Sequence, residues 1–262
     1  MSCSNWGTIK NIIKDKVIGL VGGGRSLEEL ESRKEEFKDL PIVWIGMNSC
    51  DMVEKYILKE INKKLKIVFS FGFNDNEKEY RIPIYTTYLE EGGKFITNSN
   101  LSNFHKSRNM GQLYIDHKDS VFFIEDFEKI DKEGNLKRFG RFLVYPRANN
   151  SMAIIIPILI LCNPKKIILF GCDGGIDNKD QRIETMKNIY YRGEEAALGR
   201  INTWYIPGDV IQLNEMMPQT HKYLKNFFQL DYDTEIVNCS ENSQWEIYRK
   251  INYNQLREEV YG

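Results

Sequence analysis

Six short apolar runs rich in β-branched residues, at positions 17–21, 42–46, 67–71, 121–124, 167–171 and 235–239, are each followed by a polar or amphipathic stretch. A strand that is apolar throughout is buried on both faces, and crossover helices are what cover both faces of a sheet. The alternation therefore predicts an α/β, Rossmann-like architecture, a mostly parallel sheet flanked by helices. Helices are expected at 26–38, 49–64, 150–162, 181–197, 211–228 and 253–260.

With 262 residues the chain is long enough for one large core. The reading is a single domain over 1–262, with an insertion or lid around 74–148, where the alternation blurs. Within that stretch the charged segment 128–138 reads as an exposed loop or hairpin. The segment 151–162 is apolar all round, so its length decides for a buried helix over a strand. Pro157 should kink that helix, at a cost of about 3 kcal/mol in isolation that burial can offset.

Charge and cysteine content exclude several classes. The 36 Lys and Arg against 37 Asp and Glu leave a net charge of -1, so no basic field is available to hold a polyanion, and nucleic acid is not an expected partner. Five scattered cysteines without a C-x-x-C pair fit neither a disulfide framework nor a zinc knuckle, and suit a reducing cytoplasm. Three widely separated histidines give no metal triad, and no metal site is expected. No apolar run is long enough for a transmembrane segment, and the first 16 residues lack a signal-type run.

The densest local signal is the passage from the first apolar run through Gly22, Gly23, Gly24 and Arg25 into a helix start at Ser26. Glycines let backbone approach a phosphate, and helix N-terminal N–H groups favour an anion. Ser26 and Glu29 have the spacing of a capping box. Neither G-x-x-x-x-G-K-[ST] nor G-x-G-x-x-G fits the spacing, and the second strand ends in Met47-Asn48 without an acid for a ribose diol. The same residues also suit a tight turn that only caps a helix. A side chain at Gly24 is expected to block phosphate approach.

Asp173 follows the run 167–171 at the carboxyl edge of the sheet, where ligands of open α/β sheets collect. With Asp177 and Asp180 it could hold Mg²⁺ beside a phosphate, or all three could be turn residues. Asn48, Asn150 and Ser151 lie at comparable strand or helix ends and could bond a base, ribose or sugar, or serve as caps. Tyr190, Tyr191 and Arg192 could stack on and hold a charged acceptor, or form a helix face.

Three blocks resemble a clan comprising the family 42 sialyltransferases, motility accessory factor glycosyltransferases and 6-hydroxymethylpterin pyrophosphokinases (MptE-like proteins). They are Val21-Gly-Gly-Gly-Arg-Ser-Leu27, the helix from Asn150 through Lys166-Ile-Ile-Leu-Phe-Gly-Cys-Asp173, and Glu235-Ile-Val-Asn-Cys-Ser-Glu-Asn-Ser243. The resemblance implies a Rossmann-like fold binding a nucleotide through residues 22–26, Asn48, Asn150, Ser151 and Asp173. Arg25 stands where the clan has Pro. The stretch Trp204-Tyr-Ile-Pro-Gly-Asp209 resembles the one that carries the sialyltransferases' catalytic His, with Asp209 as its ionisable group here.

These observations lead to an expected transferase that moves a sugar, of the sialic-acid type among the possibilities, from a nucleotide-sugar donor to a glycan or protein acceptor. Asp173, Asp209 or His221 would take the acceptor's proton, and no tightly bound cofactor is needed. Two alternatives remain: a Mg²⁺-dependent pyrophosphokinase acting on a pterin-like alcohol, and a non-catalytic nucleotide-binding module.

Overall fold

The computed structural model describes residues 6–48, 50–70, 75–97, 112–113, 115–123, 128–130, 136–138, 151–174, 191–193, 209–228 and 233–262. Eight strands form one sheet: β1 (Val17–Val21), β2 (Ile42–Met47), β3 (Ile67–Ser70), β4 (Lys94–Thr97), β5 (Val121–Phe123), β8 (Lys166–Phe170), β9 (Glu235–Asn238) and β10 (Arg249–Lys250). Their spatial order is β10-β9-β8-β1-β2-β3-β4-β5, and every neighbouring pair is parallel. The remaining two, β6 (Glu128–Ile130) and β7 (Leu136–Arg138), pair antiparallel as the hairpin expected at 128–138. The stretch 74–148 also supplies β4 and β5 to the main sheet.

Every residue of β1, β3 and β8 is buried, as expected of strands covered on both faces. On one face α1 (Gly7–Ile13), α6 (Met152–Leu161) and α7 (Asp209–Phe228) place Ile9, Ile13, Ile155, Leu159, Met217 and Leu224 against Ile18, Leu20, Ile45 and Phe69. On the other, α2 (Leu27–Ser32), α3 (Lys34–Phe37), α4 (Asp51–Val53) with its continuation to Ile61, α5 (Asp75–Glu90) and α8 (Leu256–Tyr261) pack Leu27, Phe37, Ile57, Tyr85 and Leu256 against Trp44, Val68, Ile168 and Phe170. The apolar segment around Pro157 is the buried helix its length predicts.

Two expected helices differ in form. That at 26–38 is divided at Arg33 into α2 and α3; Ser32 donates its hydroxyl back to the Glu29 carbonyl at 2.9 Å, a bond that bends helices. That at 49–64 passes from α geometry through a π segment (Glu54–Leu58) to a 3₁₀ turn (Lys59–Ile61), and stops at Asn62 with φ 56°. The sequence pattern missed α5, because Pro83, Ile82 and Thr86 dilute a helical signal that tertiary packing of Tyr85 and Leu89 restores. No helix among the described residues is long and apolar enough to cross a membrane. Cys50, Cys162, Cys172 and Cys239 are buried and form no disulfide.

The amino-terminal end of the sheet is tied to the C-terminal helix by ions. Lys166 lies 2.8 Å from Glu259 and 3.1 Å from Glu235, and Arg249 approaches the same two carboxylates at 2.8 and 2.6 Å. Hydrogen bonding from Arg249 and Lys166 outweighs burial and lowers the Glu259 carboxyl to about 2, with Glu235 also lowered. A carboxyl depressed in the folded state contributes stability that is complete above its unfolded value and is lost as pH falls toward the folded one. The melting temperature should therefore fall steadily below about pH 4.5. Glu259→Gln should cost about 2 kcal/mol at neutral pH, roughly 4–8 °C, and flatten that acid limb. An acid limb of unchanged steepness in the variant would remove Glu259 from it.

Candidate functional site

The chain builds outward from β1 to β5 and then returns to the opposite side of β1 with β8. The boundary between β1 and β8 is where the winding reverses, and a crevice opens outside the carboxyl ends of strands at such a switch point. The loops that leave β1 and β8 there are residues 22–26 and 171–174.

These loops are bonded to each other. The N–H of Gly22 donates to the Phe170 carbonyl at 2.7 Å and that of Gly24 to the Gly171 carbonyl at 2.8 Å. Asp173 then reaches across: its Oδ2 accepts the Ser26 N–H at 2.7 Å, and its Oδ1 accepts the hydroxyls of Ser26 and, at 2.8 Å, Ser240. Its carbonyl accepts the Gln244 N–H at 2.8 Å. Thus the end of β8, the glycine loop and the turn after β9 converge on one carboxylate.

This geometry changes the reading of the loop. The capping box does not form: the Ser26 side chain makes no bond to its own helix, because Asp173 takes the hydroxyl, and Glu29 lies near Arg33 at 3.4 Å. The anion at the start of α2 is the protein's own carboxylate. Gly24 is needed for the same approach, since a Cβ there would lie 2.6 Å from Asp173 Oδ2 and 2.7 Å from the Gly171 carbonyl oxygen. Gly23 gives its carbonyl to the Tyr191 N–H at 2.9 Å, while no described group takes up its own N–H. Arg25 is exposed beside Glu28, at 3.0 Å. Tyr253 donates its hydroxyl to the Ser26 carbonyl at 3.2 Å.

Asn48 and Ser151 are brought together from 103 residues apart, with Asn48 Nδ2 donating to Ser151 Oγ at 3.0 Å. Asn48 is in the left-handed region at φ 51°, its N–H bonded to the Phe69 carbonyl and its carbonyl accepting the Tyr85 hydroxyl at 3.3 Å. Asn tolerates that conformation better than most residues, and it aims the amide toward the start of α6.

Tyr191 and Arg192 are turned back on α2. The Tyr191 hydroxyl donates to Glu31 at 2.6 Å, Arg192 pairs with the same carboxylate, and its guanidinium lies 3.9 Å from the Tyr56 ring centroid. Their side chains therefore hold the 191–193 turn against α2, while the Tyr191 N–H ties it to the glycine loop. His221, on α7, faces the Tyr248 hydroxyl at 3.1 Å, and burial, with Lys225 nearby, lowers its pKa and so favours the neutral ring. Asp209 is the first residue of α7. Asn150, Asp177, Asp180, Tyr190 and the stretch 204–208 lie outside the described residues.

Ser240, Ser243, Glu31 and Tyr253 were not singled out from sequence. Ser240 and Ser243 do fall in the third block of the resemblance, after β9. Ser243 donates to the Cys172 carbonyl at 2.6 Å and accepts from Asn238 Nδ2 at 2.9 Å, which fixes the backbone just before Asp173.

Solved structures are similar to this chain to different degrees. A point mutant of the Campylobacter jejuni α-2,3/8-sialyltransferase CstII is similar at a TM-score of 0.50 and 16% identity, covering 91% of this chain and 88% of that one. The monofunctional α-2,3-sialyltransferase Cst-I from Campylobacter jejuni gives 0.49 and 19%, over 87% and 77%. The MAf glycosyltransferase from Magnetospirillum magneticum AMB-1 gives 0.43 and 12%, over 98% of this chain and 40% of that one. No family model matches the sequence, and no curated protein does. The likeness to CstII is one of fold: this chain is an α/β protein with a Rossmann-like parallel sheet of the kind seen in that sialyltransferase.

Proposed function

We propose that the chain is a glycosyltransferase that binds a nucleotide-sugar in the crevice at the carboxyl ends of β1, β8 and β2. The observation that carries this reading is the convergence of the glycine loop and Asp173 on the switch point between β1 and β8. Fold likeness to a sialyltransferase supports it by analogy.

In this reading the loop residues that meet phosphate are Gly23, through its N–H, and Arg25, through its charge. The inner N–H groups of Gly22, Gly24 and Ser26 hold the loop in shape. Asn48 and Ser151, joined by their mutual bond, meet the nucleoside or the sugar. Stabilising charge on the departing phosphate is the loop's contribution to rate.

Asp173 acts as a positioning residue, because all its described bonds are accepted from protein donors. Asp209 and His221 remain the candidates for the proton-accepting role, and the burial that lowers the His221 pKa favours the neutral form a base needs. The acceptor is a glycan or protein hydroxyl.

The test is nucleotide release from a panel of CMP-, UDP- and GDP-sugars. One donor class should turn over, at least by slow hydrolysis, and addition of acceptor should raise the rate. CMP-sugars come first, since CstII structures contain CMP and a CMP-sugar analogue. Nucleotide binding without turnover of any donor would leave a non-catalytic module instead.

A further inference from the structure

The helix after β2 and α5 lie on the same face of the sheet without closing on each other. Between them is a cavity of about 360 Å³, floored by Val68 of β3 and by Leu65 just before it. It includes neither the glycine loop nor Asp173. Its most unusual lining group is Glu54, at the point where that helix widens into π geometry, an irregularity frequent at functional sites.

Glu54 is half-buried and, among the described residues, accepts one bond, from the Leu65 N–H at 2.7 Å. Among the described residues no lysine or arginine forms an ion pair with it. Glu91 repels it, while Lys59, which with Lys55 also lines the cavity, and Lys64 attract it; burial dominates and raises its pKa. The Lys64 ammonium is held by the Glu91 carbonyl at 2.8 Å, and that of Lys55 by the Tyr56 hydroxyl at 2.8 Å. A half-buried carboxylate that no cation contacts directly is costly unless something supplies the charge.

The opposite wall carries two aromatic rings. Tyr85 and Tyr88 line the cavity, and both hydroxyls are tied elsewhere: Tyr85 to the Asn48 carbonyl, Tyr88 to the Lys94 carbonyl and N–H, each at 3.1 Å. Rings anchored this way offer the cavity apolar and π surface. Carboxylates opposite tyrosine rings are the combination that recognises an organic ammonium ion. A volume near the lower end of ligand pockets, about 300–1,000 Å³, suits one ring with a short chain.

We propose that this cavity binds a small organic ammonium ion, an amine carried on an apolar or aromatic body, with Glu54 as its counter-charge. The proposal is independent of the nucleotide reading and uses none of its residues as ligands.

The test uses the full chain and three probes of one shape and different charge, phenethylamine, 2-phenylethanol and phenylacetate, titrated while backbone amide resonances are followed. Phenethylammonium should bind at least about 10-fold tighter than the alcohol, shift the Leu65 and Val68 amides, and outcompete phenylacetate entirely. Glu54→Gln keeps an oxygen for the Leu65 N–H and removes the charge, so the ammonium and the alcohol should then bind alike. Thr87→Arg, at an exposed position on the α5 wall, supplies the cation from within the chain and should weaken phenethylammonium by about 10-fold or more without touching the Leu65 bond. Equal affinity for all three probes, affinity unchanged in both variants, or shifts that map away from Leu65 and Val68 would overturn the proposal. So would concentration-dependent self-association that competes with the probes, because a second copy would then be the occupant.

Discussion

Asp173→Ala is expected to lower the melting temperature by roughly 8–16 °C. The substitution leaves the Ser26 N–H, the Ser26 hydroxyl and the Ser240 hydroxyl without their shared acceptor. Ser240 is 5% exposed, so water replaces the lost partner poorly. At about 1–2 kcal/mol for each deprived donor the loss is about 4 kcal/mol, which converts to that range for a chain of this size. Asp173→Asn should behave differently. Its amide oxygen can keep the Ser26 N–H, and its NH₂ can face the two hydroxyls, which rotate to accept. A loss of roughly 1–2 kcal/mol is expected, with turnover within about 10-fold of the parent. A fall of about 100-fold or more with an unchanged melting temperature would instead make Asp173 the proton acceptor.

Gly24→Val should destabilise the fold by about 3 kcal/mol or more, roughly 6–12 °C in melting temperature. A Cβ at this position would meet both Asp173 Oδ2 and the Gly171 carbonyl far inside contact distance, and neither is the free end of a flexible chain. From sequence alone the same substitution would be expected to damage nucleotide binding more than stability. The structure reverses that order, because the group that approaches Gly24 is a carboxylate of the protein itself. Thermal melts of Gly24→Val and Gly24→Ala decide it: a valine variant that melts with the parent would mean that the loop is not held shut by Asp173.

The parallel sheet was legible because strands buried on both faces leave uninterrupted β-branched runs, as in 17–21 and 167–171. What hid α5 and β4 was local chemistry at odds with the final state. Pro83 and the β-branched residues around it read against a helix, and the short Lys94–Thr97 strand has too few residues to signal by itself. The glycine loop was found for a reason that is half right. Close backbone approach does require Gly22 and Gly24, yet the partner that closes on Gly24, Asp173, lies 147 residues from Ser26 and no local spacing reveals it. Ser240 illustrates the same limit, since a serine after a strand is commonplace until the fold brings it to a carboxylate. Asn48 and Ser151 were named separately, and their mutual bond is visible only in three dimensions.

Occupation of the crevice is tested most directly by calorimetric titration of the full chain with CMP, CDP, UDP, GDP and ATP, first in EDTA and then with Mg²⁺. The expected result is binding of one nucleotide class in EDTA, weakened about 10-fold by Asn48→Ala, since that variant loses one side-chain contact to the ligand. Binding of none of the five, or of ATP alone and only with Mg²⁺, would contradict the account.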